Sequence, residues 1–323
     1  MSARKLRIGV VMDPIQSIKP VKDSSFAMLL EAERRGADIH YMLQADLKMV
    51  AGKALAHSKR LSVRDDKQDW FTLGEAREIN LGDLDVILMR KDPPFNMEYI
   101  YTSYILERAE DAGALIVNKP QSLRDMNEKA YTAWFPQCAP LTLITRSMQE
   151  MKNFLAEHGR IVVKPLDGMG GKSIFVVAKG DNNANVIFET LTDFGSRFAM
   201  AQVFIPEISD GDKRILLIDG EPVPCALARI PSADDNRGNL VMGATGEARR
   251  LTERDEWICG EVGPVLRERG VIFAGIDVIG DYLTEINVTS PTGIRELDRA
   301  FDLNIAGTLF DAIEARLSRS RAQ

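Results

Sequence analysis

The sequence predicts an α/β chain: a doubly wound parallel sheet at the N-terminal end, then α+β in the C-terminal half. Three stretches carry that expectation. Residues 6–43 alternate strand, helix and strand, the opening of a wound sheet. Residues 161–177 set a glycine-rich stretch between two apolar runs. Gly275–Gly293, GIDVIGDYLTEINVTSPTG, reads as two strands around a Gly280-Asp281 turn, with Asp277, Glu285 and Asn287 among apolar neighbours.

In order along the chain, Leu6–Met12 is an apolar strand ended by Asp13-Pro14. Ser24-Ser25 starts a helix, Phe26–Arg35, that Gly36 stops, and Ile39–Leu43 is the next strand. No GxGxxG follows the first strand, which argues against a nicotinamide site. Val86–Met89 is a strand with Arg90 at its carboxyl end, where such sheets bind ligands, so Arg90 is a candidate anion ligand or a plain surface arginine. A helix, Glu98–Ala112, and a strand, Leu115–Val117, complete this part, with a boundary near Pro120–Asp125.

Beyond it, Asn127–Phe135 is a short helix carrying Lys129. Leu141–Ile144 is a strand, Met148–Glu157 a helix, and Ile161–Pro165 a strand that includes Lys164. Asp167-Gly-Met-Gly-Gly-Lys172 follows, then a strand, Ser173–Val177. Gly171-Lys172-Ser173 imitates the end of a phosphate-binding loop, but Leu166 stands where its first glycine belongs and a strand replaces the helix. It is a glycine-rich hairpin instead: a flap over a triphosphate or a plain turn. Val186–Thr192 is a helix, Phe198–Ile205 a strand, and Lys213–Ile218 and Pro222–Ile230 are strands turning at Asp219-Gly220. The pattern dissolves from Pro231 to Arg250, which reads as a mobile loop holding Arg237 and Asn239. Arg254–Arg269 and Leu303–Arg319 are helices.

Glu285 and Asn287 share a strand face because they lie two apart. Asp277 joins that face only if it pairs with Glu285. A regular ladder achieves this with a three-residue loop, Gly280-Asp281-Tyr282, whereas a two-residue loop sets Asp277 opposite Thr284. The three oxygen donors suit a hard cation such as Mg²⁺, or form a polar, solvated face.

Composition narrows the classes further. The chain has 323 residues, 45% hydrophobic and 27% charged, with a net charge of −6. This is a globular balance with no basic stretch for nucleic acid. No apolar run is long enough to span a bilayer. Met1–Met12, broken by Arg7, does not read as a signal peptide. Cys138, Cys225 and Cys259 form no CxxC, which fits structural thiols in a reducing cytoplasm. The histidines, His40, His57 and His158, lie near no motif, so neither a Ser-His-Asp nor a Cys-His site is expected.

The motifs together resemble the prokaryotic glutathione synthetase family of the ATP-grasp superfamily over about Leu6 to Leu317. They are MDP with KDSSFAMLLEA, ILMRKDPPF, IVNKPQSLRDMNEK, VVKPLDGMGG, DGDKRIL, EPVPCALARIP, RGNL and LTEINVTSPTGIRE. The resemblance implies an N-terminal Rossmann-like substrate domain (1–123) and an ATP-grasp fold of two domains. These are a central lid domain (124–203) and a catalytic domain (204–323) containing the mobile loop 231–250. It implies ATP-dependent joining of γ-glutamylcysteine to glycine through an acyl phosphate. Lys129, Lys164 and Asp212 would serve ATP, with Gly168, Met169, Gly170 and Gly171 as flap and Gln202, Val203, Phe204 and Ile205 at the adenine. Asp277, Glu285 and Asn287 would hold Mg²⁺, with Mn²⁺ as a substitute. Arg214, Arg229 and Arg237 would face the transferring phosphoryl group. Arg90, Asn239, Ser290, Pro291, Thr292 and Gly293 would meet substrate. A cytoplasmic homo-oligomer, a tetramer by family analogy, is implied too. The chain departs from the family pattern at SADDN in the loop and at Gln-Val-Phe in the hinge. The rivals are another ATP-grasp carboxylate–amine ligase and a nucleotide-binding scaffold without turnover.

Overall fold

The computed structural model describes residues 5–231 and 245–322. The first sheet takes β1 (Arg7–Met12), β2 (Asp38–Met42), β3 (Leu47–Val50), β4 (Lys53–Val63), β5 (Phe71–Asn80), β6 (Val86–Arg90) and β7 (Leu115–Val117). Its parallel part runs β2-β1-β6-β7, as expected of a wound sheet. The helices α1 (Ser24–Arg34) and α2 (Met97–Asp111) connect these strands, and α3 (Pro120–Asp125) follows β7.

Sequence patterning assigned nothing to 47–80, yet β3, β4 and β5 extend the sheet there with antiparallel strands. The inward positions of β4 include Ala54, Ala56 and Ser58, small residues that give no period-2 hydrophobic signal. The start of α1 at the serine pair is as expected. Asp23, not the serine pair, caps it, accepting from Phe26 N at 2.7 Å. The two serines have tertiary partners instead, described below.

The second sheet contains β8 (Thr142–Thr145), β9 (Arg160–Pro165), β10 (Phe175–Ala178) and β11 (Ala199–Val203), in the order β10-β9-β11-β8. With α4 (Met148–His158) and α5 (Ala184–Thr192) it encloses its own core around Phe154, Ile161, Val163 and Phe188. The third sheet takes β12 (Asp212–Ile218), β13 (Glu221–Ile230), β14 (Thr245–Arg250), β15 (Phe273–Ile279) and β16 (Tyr282–Asn287), in the order β14-β13-β12-β15-β16. Here α6 (Glu253–Glu268) precedes the last hairpin, and α7 (Ile294–Phe301) and α8 (Ile305–Ala322) follow it. The first and third sheets share a core with their helices: Ile8 and Val10 of β1 and Phe26 of α1 belong to one cluster with Leu216, Phe273 and Phe310 of β12, β15 and α8.

Two expectations for this sheet need correction. The loop expected over 231–250 ends early, because Thr245–Arg250 pairs in register with Cys225–Ile230. The remainder of that loop, with Arg237 and Asn239, lies outside the described residues. The short α7 has no predicted counterpart. IRELDRAF buries only Ile294 and Leu297, too little apolar signal to find.

Candidate active site

The cleft is built on the β15–β16 hairpin. Asp277 pairs with Glu285, as the convergence of the three donors requires, but the route differs from the one expected. The turn is the two-residue Gly280-Asp281, with Ile279 opposite Tyr282 and Val278 opposite Leu283. A bulge then makes Thr284 an extra residue and restores the Asp277–Glu285 pair. The sheet edge at β16 is covered by the segment before β8. Ile286 N donates to Glu128 O and Leu283 N to Cys138 O, both at 2.8 Å. That contact sets Glu128 and Lys129 beside Glu285.

Asp277 is 2% exposed and sits between two arginines. The Arg214 guanidinium grips both its oxygens as a fork, and Arg229 Nη2 approaches Oδ2 at 2.9 Å. The fork needs Gly275: a Cβ there would lie 2.8 Å from Arg214 Cδ and 2.9 Å from Pro291 Cβ. Burial alone would raise the Asp277 carboxyl; the two guanidinium groups outweigh it and hold it well below the usual carboxylate range. Arg229 Nη2 also bonds Asp212 Oδ2 at 2.5 Å. Burial pushes Asp212 up to about 7, with Asp277 and Glu285 adding to the effect and Arg229 opposing it.

Two lysines face these carboxylates. Lys129, 2% exposed, donates to Glu128 Oε1 and to Gly168 O, and lies 3.4 Å from Glu285 Oε1. Burial would lower it, but Glu285 and Glu128 raise it above its ordinary value. Lys164, 5% exposed, has one side-chain hydrogen bond among the described residues, a 3.5 Å contact to Thr284 O. Burial pulls its ammonium below its ordinary value, with Glu285 opposing. A buried ammonium so poorly partnered is costly unless an anion joins it.

Between β9 and β10 the predicted glycine hairpin is present, with Val163 opposite Phe175. Gly170, Gly171 and Ser173 have φ of +66°, +75° and +58°, a left-handed stretch that suits glycine. Gly168 to Lys172 line the cleft. The cleft is also lined by Gln202, whose Nε2 donates to Thr142 Oγ1 at 3.0 Å, and by Val203–Ile205. Phe204 is stacked under the Arg160 guanidinium, 3.8 Å from the ring centroid.

The cleft has a volume of about 610 Å³ and gathers most of the predicted residues. Arg90 and Gly293 stand behind it. Arg90, 4% exposed, donates to Ser25 Oγ at 3.0 Å and Pro291 O at 2.9 Å. Burial lowers it to about 10, against Asp23 and Asp92. Ser24 Oγ accepts from Gly293 N at 3.1 Å and Ile294 N at 3.2 Å, capping α7. The serines of α1 thus pin the Ser290–Gly293 loop to the first sheet. Asn118 adds a second pin. Its Oδ1 accepts from Ile272 N and Phe273 N at 2.8 and 2.9 Å, and its Nδ2 donates to Phe273 O and Val288 O at 2.6 and 2.7 Å.

Sequence reasoning missed Glu128, Thr284 and Asn118. Glu128 adjoins Lys129, a usable signal; the other two act by bonding to backbone groups of distant or bulged segments, contacts that no residue pattern announces.

The oxygen donors fit a divalent cation. Asn287 uses Nδ2 on Asp277 Oδ2 at 3.4 Å, and its Oδ1 has no partner among the described residues. Five acidic and five basic side chains line the cleft among the described residues. A polyphosphate entering so balanced a site needs a cation brought with it.

Solved structures share this architecture. A D-cycloserine synthetase, DcsG, aligns over 96% of this chain and 99% of its own, with a TM-score of 0.67 and 15% identity. The ATP-grasp ligase PsnB, complexed with a minimal precursor, aligns over 97% and 99%, with a TM-score of 0.63 and 17% identity. The fold is therefore that of the ATP-grasp ligases. Within that class the sequence is more specific. The N-terminal domain of prokaryotic glutathione synthetase matches residues 6–124, and its ATP-grasp domain matches 128–302. A glutathione synthetase of Vibrio parahaemolyticus is 59% identical over 312 residues, 97% of this chain and 99% of that protein. One of Escherichia coli K12 is 57% identical over 314 residues, again 97% and 99%. The chain belongs to the prokaryotic glutathione synthetase family.

Proposed function

We propose that this cleft joins γ-glutamylcysteine and glycine to give glutathione, converting ATP to ADP and phosphate. The cysteinyl carboxylate attacks the γ-phosphorus and ADP leaves, giving an acyl phosphate. The neutral amine of glycine adds to the acyl carbon. The oxyanion then collapses, phosphate departs, and the amine loses its proton. No nucleophile of the chain is needed, so catalysis rests on positioning and charge.

Lys129 and Lys164 hold phosphate oxygens, and Gly168–Gly171 close over them. Gln202–Ile205 border the adenine, and Asp212 belongs to the same nucleotide site. Asp277, Glu285 and Asn287 would hold a divalent cation, which we take to be Mg²⁺; when bound it supplies neutralisation of the phosphate charge. Arg214 and Arg229 stabilise charge on the transferring group, with Arg237 from the neighbouring loop. Ser290–Gly293, Asn239 and Arg90 serve the substrate side, Arg90 through the Pro291 carbonyl.

Residues 1–123, 124–203 and 204–323 act as substrate, lid and catalytic domains, in a cytoplasmic homo-oligomer. No helix among the described residues is long and apolar enough to cross a membrane. The observation that carries the reading is Lys164, a buried cation with one 3.5 Å side-chain hydrogen bond among the described residues, which also leave the cleft it lines charge-balanced. The test is ADP release with γ-glutamylcysteine and glycine, D-alanine or glutamate in turn. Glycine should give the fastest release with matching glutathione. Faster release with another amine, or none with any, overturns it.

A further inference from the structure

The register of the β15–β16 hairpin depends on one residue that the chemistry does not name. After the Gly280-Asp281 turn, an uninterrupted ladder would set Asp277 against Thr284 and send Glu285 and Asn287 to the opposite face. The bulge prevents this by leaving Thr284 unpaired. Thr284 is 5% exposed, and both its polar groups are engaged. Its Oγ1 donates to Asp277 O at 3.1 Å, directly across the bulge. Its own carbonyl accepts from Lys164 Nζ at 3.5 Å. Valine would suit a buried strand position as well as threonine does, so the pleat does not call for the hydroxyl; the bulge does. The carbonyl contact also joins two sheets, because Lys164 stands on β9 and Thr284 on β16.

We propose that Thr284 is a positioning residue of the nucleotide site. Its hydroxyl holds the bulge that sets Asp277 opposite Glu285, and its carbonyl aims the Lys164 ammonium into the cleft. This rests on reading the cleft as the ATP site. Without the hydroxyl the Asp277 carbonyl loses a donor, the bulge relaxes, and the 284 carbonyl moves relative to Lys164. Nucleotide binding then weakens, while the substrate side, pinned separately by Ser24, Arg90 and Asn118, does not change.

The test compares Thr284→Val, which keeps the branched shape, with Thr284→Ser, which keeps the hydroxyl. Three quantities are read: ADP affinity by calorimetry, KM for each substrate, and the melting temperature. Thr284→Val should weaken ADP binding and raise KM for ATP about tenfold, the size of one lost buried hydrogen bond. KM for γ-glutamylcysteine should stay put, and Thr284→Ser should bind ADP as the parent does. Should Thr284→Val fail to fold, Thr284→Ala removes the same hydroxyl without adding a methyl against the Asp277 carbonyl. A lowered melting temperature with unchanged ADP affinity and KM for ATP would reduce Thr284 to a packing residue and overturn the proposal. Failure of the parent protein itself to bind ADP would overturn the nucleotide reading underneath it.

Discussion

Two hairpins line the same cleft and are built in opposite ways. At β15–β16 the turn takes two residues, and Asp277, Thr284 and the strand interiors are buried. Its Asp277 is already gripped by Arg214 and Arg229. At β9–β10 the connection runs over 166–174, no residue of it is buried, and Gly170 and Gly171 hold left-handed backbone. One hairpin has its charges fixed before any ligand arrives; the other is a glycine-rich turn at the surface of the cleft. Electrostatic catalysis needs the first kind, because donors that need no reorganisation stabilise a transition state best. Closure over a substrate needs the second.

If that contrast holds, loss of a fixed charge on the β15–β16 hairpin falls on turnover, whereas loosening of the glycine hairpin, or of the Thr284 carbonyl that aims Lys164, falls on binding. The largest effect is expected for Glu285→Gln, which keeps the shape and removes one charge. Turnover should fall by at least ~10²-fold, as for one lost transition-state contact. Near-normal turnover at limiting magnesium would exclude Glu285 as a ligand. Arg229→Lys should lower kcat roughly 10²-fold and raise KM for ATP less, since lysine keeps the charge but not the fork. A raised KM for γ-glutamylcysteine with unchanged kcat would make Arg229 a substrate-carboxylate partner instead.

The glycine hairpin should respond more mildly. Gly170→Ala puts a side chain where φ is +66°. At about 1–2 kcal/mol of left-handed strain, KM for ATP should rise roughly tenfold with kcat little changed. An equal fall in kcat would show that this hairpin, too, works in the transition state.

The smallest effect is expected away from both hairpins. Burial pushes Cys138 and Cys225 up to about 11 and Cys259 up to about 12, so none is a thiolate at neutral pH. Cys225→Ala should keep kcat within about twofold, and a thiol reagent should react with the native protein only as it unfolds. Rapid modification with loss of activity would require a thiol in the mechanism.

The same contrast governs what could be read from residues alone. Chemistry that resides in side-chain type was legible: Lys129, Lys164, Asp277, Glu285, Asn287 and the glycines of 168–171 stand out in the sequence, and all line the cleft. The pairing of Asp277 with Glu285 was legible for a functional reason, but its means was not. A regular ladder offered a three-residue loop; the chain uses a shorter turn and a bulge, which hydrophobic alternation does not reveal. The wound sheet was visible in its apolar parallel strands and invisible at β4, where Ala54, Ala56 and Ser58 replace large residues on the inward face. Ser24 and Ser25 looked like a helix start. They do open α1, but Ser24 also caps α7 and Ser25 holds Arg90, roles that depend on residues more than 60 positions away.

The central claim is that the fixed hairpin and the glycine hairpin together carry a carboxylate through an acyl phosphate. An isotope measurement tests it directly. γ-Glutamylcysteine labelled with ¹⁸O in its cysteinyl carboxylate is turned over with ATP and glycine, and the phosphate released is analysed by mass. Formation of an acyl phosphate predicts one ¹⁸O in each phosphate and one left in the new amide. Unlabelled phosphate accompanying full yield of glutathione would contradict the account.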